Sequence, residues 1–226
     1  MGTKIKFCGL KTPDAVQLAA ELGAWKIGFI FFPKSPRHVE VPVAADLAAL
    51  ARNLGLETTA VTVNATEDEL AAIVASVQPD LLQFHGAETP NHVDKMKARF
   101  GLPAMKAFSI REAADLDAVG PYRRIADFML FDAKAPKGSE LPGGNGVSFD
   151  WSLLGGLQPK IDYVLSGGLT VDNIDEALTE TGAPFVDVSS GIESAPGIKD
   201  PAKMRAFAAA VRRHDETQAL TRESVA

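Results

Sequence analysis

Short runs of β-branched and aromatic residues alternate with longer Ala/Leu-rich stretches from one end of the chain to the other, the pattern of repeated βα units around a parallel sheet. Eight runs read as strands: Ile5 to Cys8, Lys26 to Phe31, Thr58 to Val63, Leu81 to Phe84, Ala104 to Phe108, Phe128 to Asp132, Tyr163 to Leu165 and Phe185 to Val188. Most are apolar at consecutive positions, as expected where helices cover one face and barrel-filling side chains crowd the other. The intervening stretches carry helix punctuation. Thr12-Pro13-Asp14 and Thr66-Glu67-Asp68-Glu69 open helices, and Asp200-Pro201 puts proline at the first helical position of the last one. Gly23 and Gly55 each follow an Ala/Leu-rich segment, where a left-handed cap would end a helix just before the next strand.

Eight such units within 226 residues fit one closed α/β domain, a (β/α)8 TIM barrel, whereas a doubly wound open sheet usually has fewer strands and leaves edges to cover. The barrel is expected over residues 1–214. No linker, repeat or low-complexity block divides the chain. The one long irregular stretch, Ala133 to Ser148, exceeds an ordinary βα connection and is a candidate active-site loop, with Pro142-Gly143-Gly144-Asn145-Gly146 as a flexible lid. From about His214 the sequence turns polar and loses its helical period, so residues 215–226 read as a frayed tail.

Composition narrows the partners. A hydrophobic fraction of 46% with 23% charged residues belongs to a folded domain and not to a disordered chain. No apolar run approaches the ~20 residues of a spanning helix, and the N-terminus enters a strand without a signal-peptide core, so the cytoplasm is the expected location. A single cysteine excludes an internal disulfide and a multi-thiolate metal site. The formal net charge of -6, and aromatic residues not interleaved with basic ones, disfavour a nucleic-acid partner. An anionic substrate would have to be held by local devices. His38, His85, His92 and His214 form no ligand spacing, so no metal is expected. Neither a Walker-type phosphate loop nor a dinucleotide fingerprint is present. Helix faces rich in Ala and Leu serve core and interface alike, leaving monomer and homodimer both open.

In a barrel of this kind the chemistry lies where strands end and the following loops begin, which makes position within each unit a functional coordinate. Cys8 ends the first strand beside Gly9; it is either a small buried apolar group or, in an electropositive setting, a reactive thiolate. Asp132 directly follows an apolar run, where it could cap a helix, pair with Lys134, or serve as a desolvated acid. Arg37, in a proline-stiffened loop after strand two, is a solvated arginine or a bidentate grip on a carboxylate. His85 after strand four is a structural histidine or a site residue. More specific are Leu165-Ser166-Gly167-Gly168-Leu169 and Val188-Ser189-Ser190-Gly191-Ile192. They occupy the two loops that many barrels use to hold a phosphate with backbone N–H groups.

Several segments together resemble the phosphoribosylanthranilate isomerase family of tryptophan biosynthesis: Lys6-Phe7-Cys8-Gly9-Leu10, Ser35-Pro36-Arg37, Leu82-Gln83-Phe84-His85-Gly86, Phe131-Asp132 followed by Gly143-Gly144-Asn145-Gly146, and the two late glycine loops through Glu193. The resemblance runs from Lys4 to about Val211. It implies an Amadori rearrangement of N-(5'-phosphoribosyl)anthranilate to 1-(2-carboxyphenylamino)-1-deoxyribulose 5-phosphate, without metal or cofactor. It further implies Asp132 as general acid, Cys8 as general base and Arg37 on the anthranilate carboxylate. The amides of Gly167, Gly168, Ser190 and Gly191 would hold the phosphate, with Ser189 in the same loop and Asp187 and His85 lining or bracing the site. Asn64 departs from the apolar or aromatic residue expected after the third strand, which bears on the shape of the anthranilate pocket. The alternative is a non-catalytic phosphosugar-binding barrel, which would have no reason to retain both Cys8 and Asp132. The histidine-pathway isomerase fits less well, because it uses a pair of aspartates and here the fifth strand ends in Ala107-Phe108-Ser109.

Overall fold

Eight parallel strands close into a barrel in sequence order: β1 (Lys4–Cys8), β2 (Lys26–Phe31), β3 (Glu57–Thr62), β4 (Leu81–Phe84), β5 (Ala104–Ile110), β6 (Phe128–Ala133), β7 (Tyr163–Leu165) and β8 (Phe185–Val188). The computed structural model describes residues 2–135, 143–144, 146, 148–157 and 162–223. Pairing of β1 with both β2 and β8 closes the sheet, so no barrel strand is left with an open edge. Every expected strand is present, with ends displaced by no more than two residues.

The helices α1 (Pro13–Glu21), α2 (Val41–Asn53), α3 (Glu67–Val77), α4 (Pro90–Phe100), α5 (Ile174–Thr181) and α6 (Pro201–Glu223) lie outside the barrel. Their ends follow the local chemistry. Thr12 accepts the Ala15 N–H, Thr66 and Glu69 form a reciprocal capping box, and Asp200 accepts the Ala202 N–H just ahead of α6. Gly23 and Gly55 take the left-handed conformation, with φ of +67° and +72°. Among the described residues no helix is long and apolar enough to cross a membrane.

The structure departs from the sequence expectation in three places. Units five and six carry 3-10 segments, Ala113–Tyr122 and Trp151–Gly156, where α-helices would complete the repeat. In the first of these Pro121 lacks an N–H to continue a helical ladder and follows Gly120. Secondly, a short hairpin of β9 (Glu193–Ala195) and β10 (Ile198–Lys199) follows β8. The third is a correction: residues 215–223, expected to fray, continue α6. Asp215 anchors this stretch by accepting the Thr3 N–H at 2.7 Å and its hydroxyl at 2.8 Å, a tertiary tie that polar composition does not reveal. Residues 224–226 lie outside the described residues, as does most of the candidate lid, although Gly143, Gly144 and Gly146 are described.

Side chains alternate between the helix layer and the barrel interior. Low in the barrel the interior is an apolar plug of Leu81, Met105, Leu130 and Val164, packed with a Trp25, Phe128 and Phe185 cluster whose ring centroids lie 4.5–5.8 Å apart. Above it the same columns turn polar. Lys6 then Cys8 on β1, Gln83 then His85 from β4, Asp132 on β6 and Asp187 on β8 rise toward the C-terminal mouth. The plug fills the lower barrel and leaves the upper layer as the floor of a site.

Candidate active site

A cavity opens at the C-terminal mouth. Cys8, Arg37, His85, Asp132, Gly167 and Gly168 all face it. So do Asp187, Ser189 and Ser190, while Ile30, Phe32, Val61 and Val63 form an apolar wall. Gly191 faces an adjoining cavity instead, together with Thr170, Ser190 and Lys203. Nine of the ten candidate residues thus share one chamber, and the tenth lines its annex.

Asp132 is 4% exposed, and a backbone amide and an imidazole hold it. Its Oδ1 accepts the Ala133 N–H at 2.9 Å, and its Oδ2 lies 3.1 Å from His85 Nε2. Lys134, a possible partner in the sequence, pairs with Asp115 at 2.7 Å. The other imidazole nitrogen, Nδ1, lies 3.0 Å from the amide of buried Gln83. Which end of that amide faces the ring decides where the proton sits. With Gln83 Nε2 donating, His85 donates in turn and Asp132 is an acceptor. Turned over, Gln83 Oε1 accepts from Nδ1–H, and His85 Nε2 is free to accept from a protonated Asp132.

Cys8, 5% exposed, has a charged environment. Burial pushes its thiol above the ordinary value, and the ammonium groups of Lys6 and Lys199 pull against that rise while Asp187 adds to it. Lys6 donates to Asp187 Oδ1 at 2.8 Å. Burial works against the Lys6 ammonium, but Asp187 and Cys8 outweigh it and hold the group above the usual lysine value. Lys199 donates to the Ser189 carbonyl, the Ser189 hydroxyl and Glu193. Its burial lowers the ammonium pKa despite Glu193. The Ser189 hydroxyl donates to the Cys8 carbonyl at 3.0 Å, tying β1 to the eighth loop.

Arg37 is no solvated loop residue. Glu193 accepts from its Nε at 2.8 Å and from its Nη2 at 2.9 Å, and Lys199 holds the same carboxylate at 2.8 Å. Burial would raise the Glu193 pKa; the hydrogen bond from Arg37 and the Lys199 charge outweigh it and hold the carboxyl below the usual range. The fork leaves Arg37 Nη1 and one Nη2 hydrogen for a ligand. A Cβ on Gly144 would stand 2.6 Å from Nη1, and one on Gly9 would crowd the arginine's methylenes at 3.0–3.3 Å. The glycines therefore let loop backbone pass directly over the guanidinium. In the same way a side chain on Gly143 would collide with Asp132 Oδ2, one on Gly167 with Ala133 N, and one on Gly191 with the Leu169 carbonyl. Loops seven and eight are thereby packed backbone to backbone around the mouth. Among the described residues no carbonyl or side chain outside regular elements takes the N–H of Gly167, Gly168, Ser190 or Gly191.

Asn64 does not shape the apolar wall. It adopts a left-handed conformation with φ of +51°, gives its N–H to Glu88 and accepts the Ala87 N–H, bracing the fourth loop from behind. Val61 and Val63 face the cavity in its place. Four residues that matter here carried no functional reading in the sequence: Lys6, Gln83, Glu193 and Lys199. The first two had a legible signal, since each stands two positions before a candidate on the same strand face, Lys6 before Cys8 and Gln83 before His85. The pairing of Glu193 with Arg37 across 156 residues had none.

Comparison with known proteins adds independent findings. Residues 5–210 match the family model for N-(5'-phosphoribosyl)anthranilate (PRA) isomerase. An N-(5'-phosphoribosyl)anthranilate isomerase from Brucella canis is 60% identical over 211 residues, covering 93% of this chain and 95% of its own length. The crystal structure of phosphoribosyl anthranilate isomerase from Thermotoga maritima superimposes with a TM-score of 0.83 at 29% identity, covering 93% of this chain and 98% of the other. A phosphoribosyl anthranilate isomerase solved in complex with reduced 1-(O-carboxyphenylamino)-1-deoxyribulose 5-phosphate gives a TM-score of 0.80 at 27% identity, with 93% and 98% coverage. The chain belongs to the N-(5'-phosphoribosyl)anthranilate isomerase family and is an enzyme of tryptophan biosynthesis that isomerises phosphoribosylanthranilate.

Proposed function

We propose that the cavity carries out the isomerisation as an Amadori rearrangement with Asp132 as the acid and Cys8 as the base. The ligand in the related complex has a carboxyphenyl group at one end and a phosphate at the other. The cavity has matching ends. Ile30, Phe32, Val61 and Val63 offer an apolar wall for the ring, and the unused N–H groups of Arg37 suit its carboxylate. The amides of Gly167, Gly168, Ser190 and Gly191 suit the phosphate, with Lys203 lining the annex beside them. An acidic protein thus binds an anion through local amides and cations, not through its overall charge.

Asp132 gives its proton to the furanose ring oxygen as the C1–O bond breaks. The bonding pair goes to that oxygen, and the anthranilate nitrogen lone pair forms the C1=N⁺ iminium. The iminium acidifies C2–H, and the Cys8 thiolate takes that proton to form S–H. The C–H pair becomes a C1=C2 bond, and the iminium π pair returns to nitrogen. Movement of the enol proton to C1 completes the ketone, and net transfer of one proton from Cys8 S–H to the Asp132 carboxylate returns both residues to their starting states. No atom is gained or lost and no electrons leave the substrate. The acid role calls for the Gln83 orientation in which His85 accepts from a protonated Asp132.

The observation that carries this reading is that Cys8 and Asp132 face one cavity between an apolar wall and two glycine-rich loops. Cys8→Ala and Asp132→Asn test it. Each should lower kcat by about a hundredfold or more, read from the loss of anthranilate-type fluorescence with freshly generated substrate, while binding of a phosphorylated product analogue persists. Near-normal turnover in either variant removes that residue from the mechanism.

A further inference from the structure

Lys6 is fully buried and stands two positions before Cys8, so the strand pleat directs both side chains into the barrel. On one flank Lys6 is in register with Asp187 of β8, to which it donates at 2.8 Å. On the other, Cys8 is in register with Gly28 of β2. Gly28 is not among the residues with positive φ, so its backbone conformation does not demand glycine. Space does. A Cβ there would lie 2.9 Å from Cys8 Sγ and 3.1 Å from Lys6 Nζ, so sulfur and ammonium both border the room that the missing side chain leaves.

An ion pair that merely filled the barrel would be a poor choice, because a buried pair is at best about as stabilising as well-packed apolar residues. The layer below makes the apolar choice, with Leu81, Met105, Leu130 and Val164 fully buried or nearly so. Buried Lys26 at the foot of β2 pairs with Glu57, whereas the buried charge of Lys6 stands directly below Cys8 on the same strand face. We propose that Lys6 is a positioning residue for proton abstraction: oriented by Asp187, its ammonium stabilises the Cys8 thiolate, and Gly28 is glycine so that the ammonium can reach the sulfur. The inference rests on Cys8 being the base.

Three charged groups act on this sulfur. Lys6 from β1 and Lys199 from β10 favour the thiolate, and Asp187 from β8 opposes it. Lys199 is shared among the Ser189 carbonyl, the Ser189 hydroxyl and Glu193. Asp187 in turn is neutralised by Lys6 itself. Removal of Lys6 therefore strips the sulfur of a cation and exposes it to an unpaired carboxylate.

The protein has one cysteine, so ¹³C labelling at cysteine Cβ gives a single resonance whose shift with pH reports thiol ionisation without any reagent having to enter the site. Lys6→Met should raise the titration midpoint by one unit or more and carry the rising limb of kcat/KM with it, lowering kcat/KM at neutral pH about tenfold or more. Lys6→Arg should recover part of the shift. Gly28→Ala keeps every charge but wedges sulfur from ammonium, and should move the midpoint in the same direction; it answers the question if Lys6→Met does not fold. An unmoved midpoint in either folded variant overturns the inference. A moved midpoint with an unmoved kcat/KM profile overturns instead the reading of Cys8 as base, and the role proposed for Lys6 falls with it.

Discussion

The two sides of the mouth hold their reactive groups by opposite means. On the β1 and β8 side, Cys8 sits among fixed charges: Lys6, Lys199 and Asp187. On the β4 and β6 side, Asp132 has no lysine or arginine among its hydrogen-bond partners; it meets the Ala133 N–H and the His85 ring backed by Gln83. A buried thiol is reluctant to ionise, so a base made from it requires counter-charge nearby. A carboxyl that must arrive protonated requires the reverse, a dry setting without a cation to hold it as carboxylate. Burial is the same on both sides; under the proposed mechanism it is the charge of the surroundings that separates base from acid.

The largest effects should come from inverting that difference. Placing a cation beside the proposed acid, by His85→Lys, should lower kcat by about a hundredfold in steady-state rates while binding of a phosphorylated product analogue persists. Near-normal turnover would mean that the neighbour of Asp132 does not bear on the acid step. Next in size is Glu193→Gln. It weakens the fork on Arg37 and should raise KM roughly tenfold with kcat nearly kept, as expected for a residue that aligns a substrate grip. A fall in kcat at unchanged KM would tie Glu193 to the base side through Lys199 instead. Smaller again is Gln83→Leu, which frees the imidazole to choose its tautomer. A several-fold loss of kcat with unchanged KM is expected from steady-state rates.

The smallest predicted effect is on stability. The Glu193 carboxyl lies below its ordinary value in the folded protein, so its contribution is fully present above that ordinary value and is lost as pH falls through the depressed one. Thermal unfolding followed between about pH 6 and pH 3 should therefore show the wild type losing more stability than Glu193→Gln, the two curves converging at the acid end. Parallel curves would mean that Arg37 and Lys199 are satisfied without the carboxylate.

Much of the fold was legible because its signals are local. Strand runs, the Thr12 and Thr66 caps and the left-handed Gly23 and Gly55 are each set by residues within a few positions, and each stands where the pattern puts it. The candidates at strand ends were legible for a related reason, since a parallel barrel turns position along the chain into height above the floor. Failures came where the deciding partner is remote. The polar stretch 215–223 remains helical with Asp215 holding Thr3, more than two hundred residues away. Units five and six show that a repeat can keep its strand while its helix shrinks to a 3-10 turn.

By itself the sequence determined the eight-unit barrel, the family, and which strand ends carry an acid, a thiol, an arginine and two glycine loops, because hydrophobic period and residue type encode these directly. Tertiary structure alone decided what each group is held by. Glu193 on Arg37, Lys6 on Asp187 and the vacant side-chain volume of Gly28 beside Cys8 all join strands distant in the chain, and the ionisation of a buried group depends on such neighbours, not on its own place in the chain.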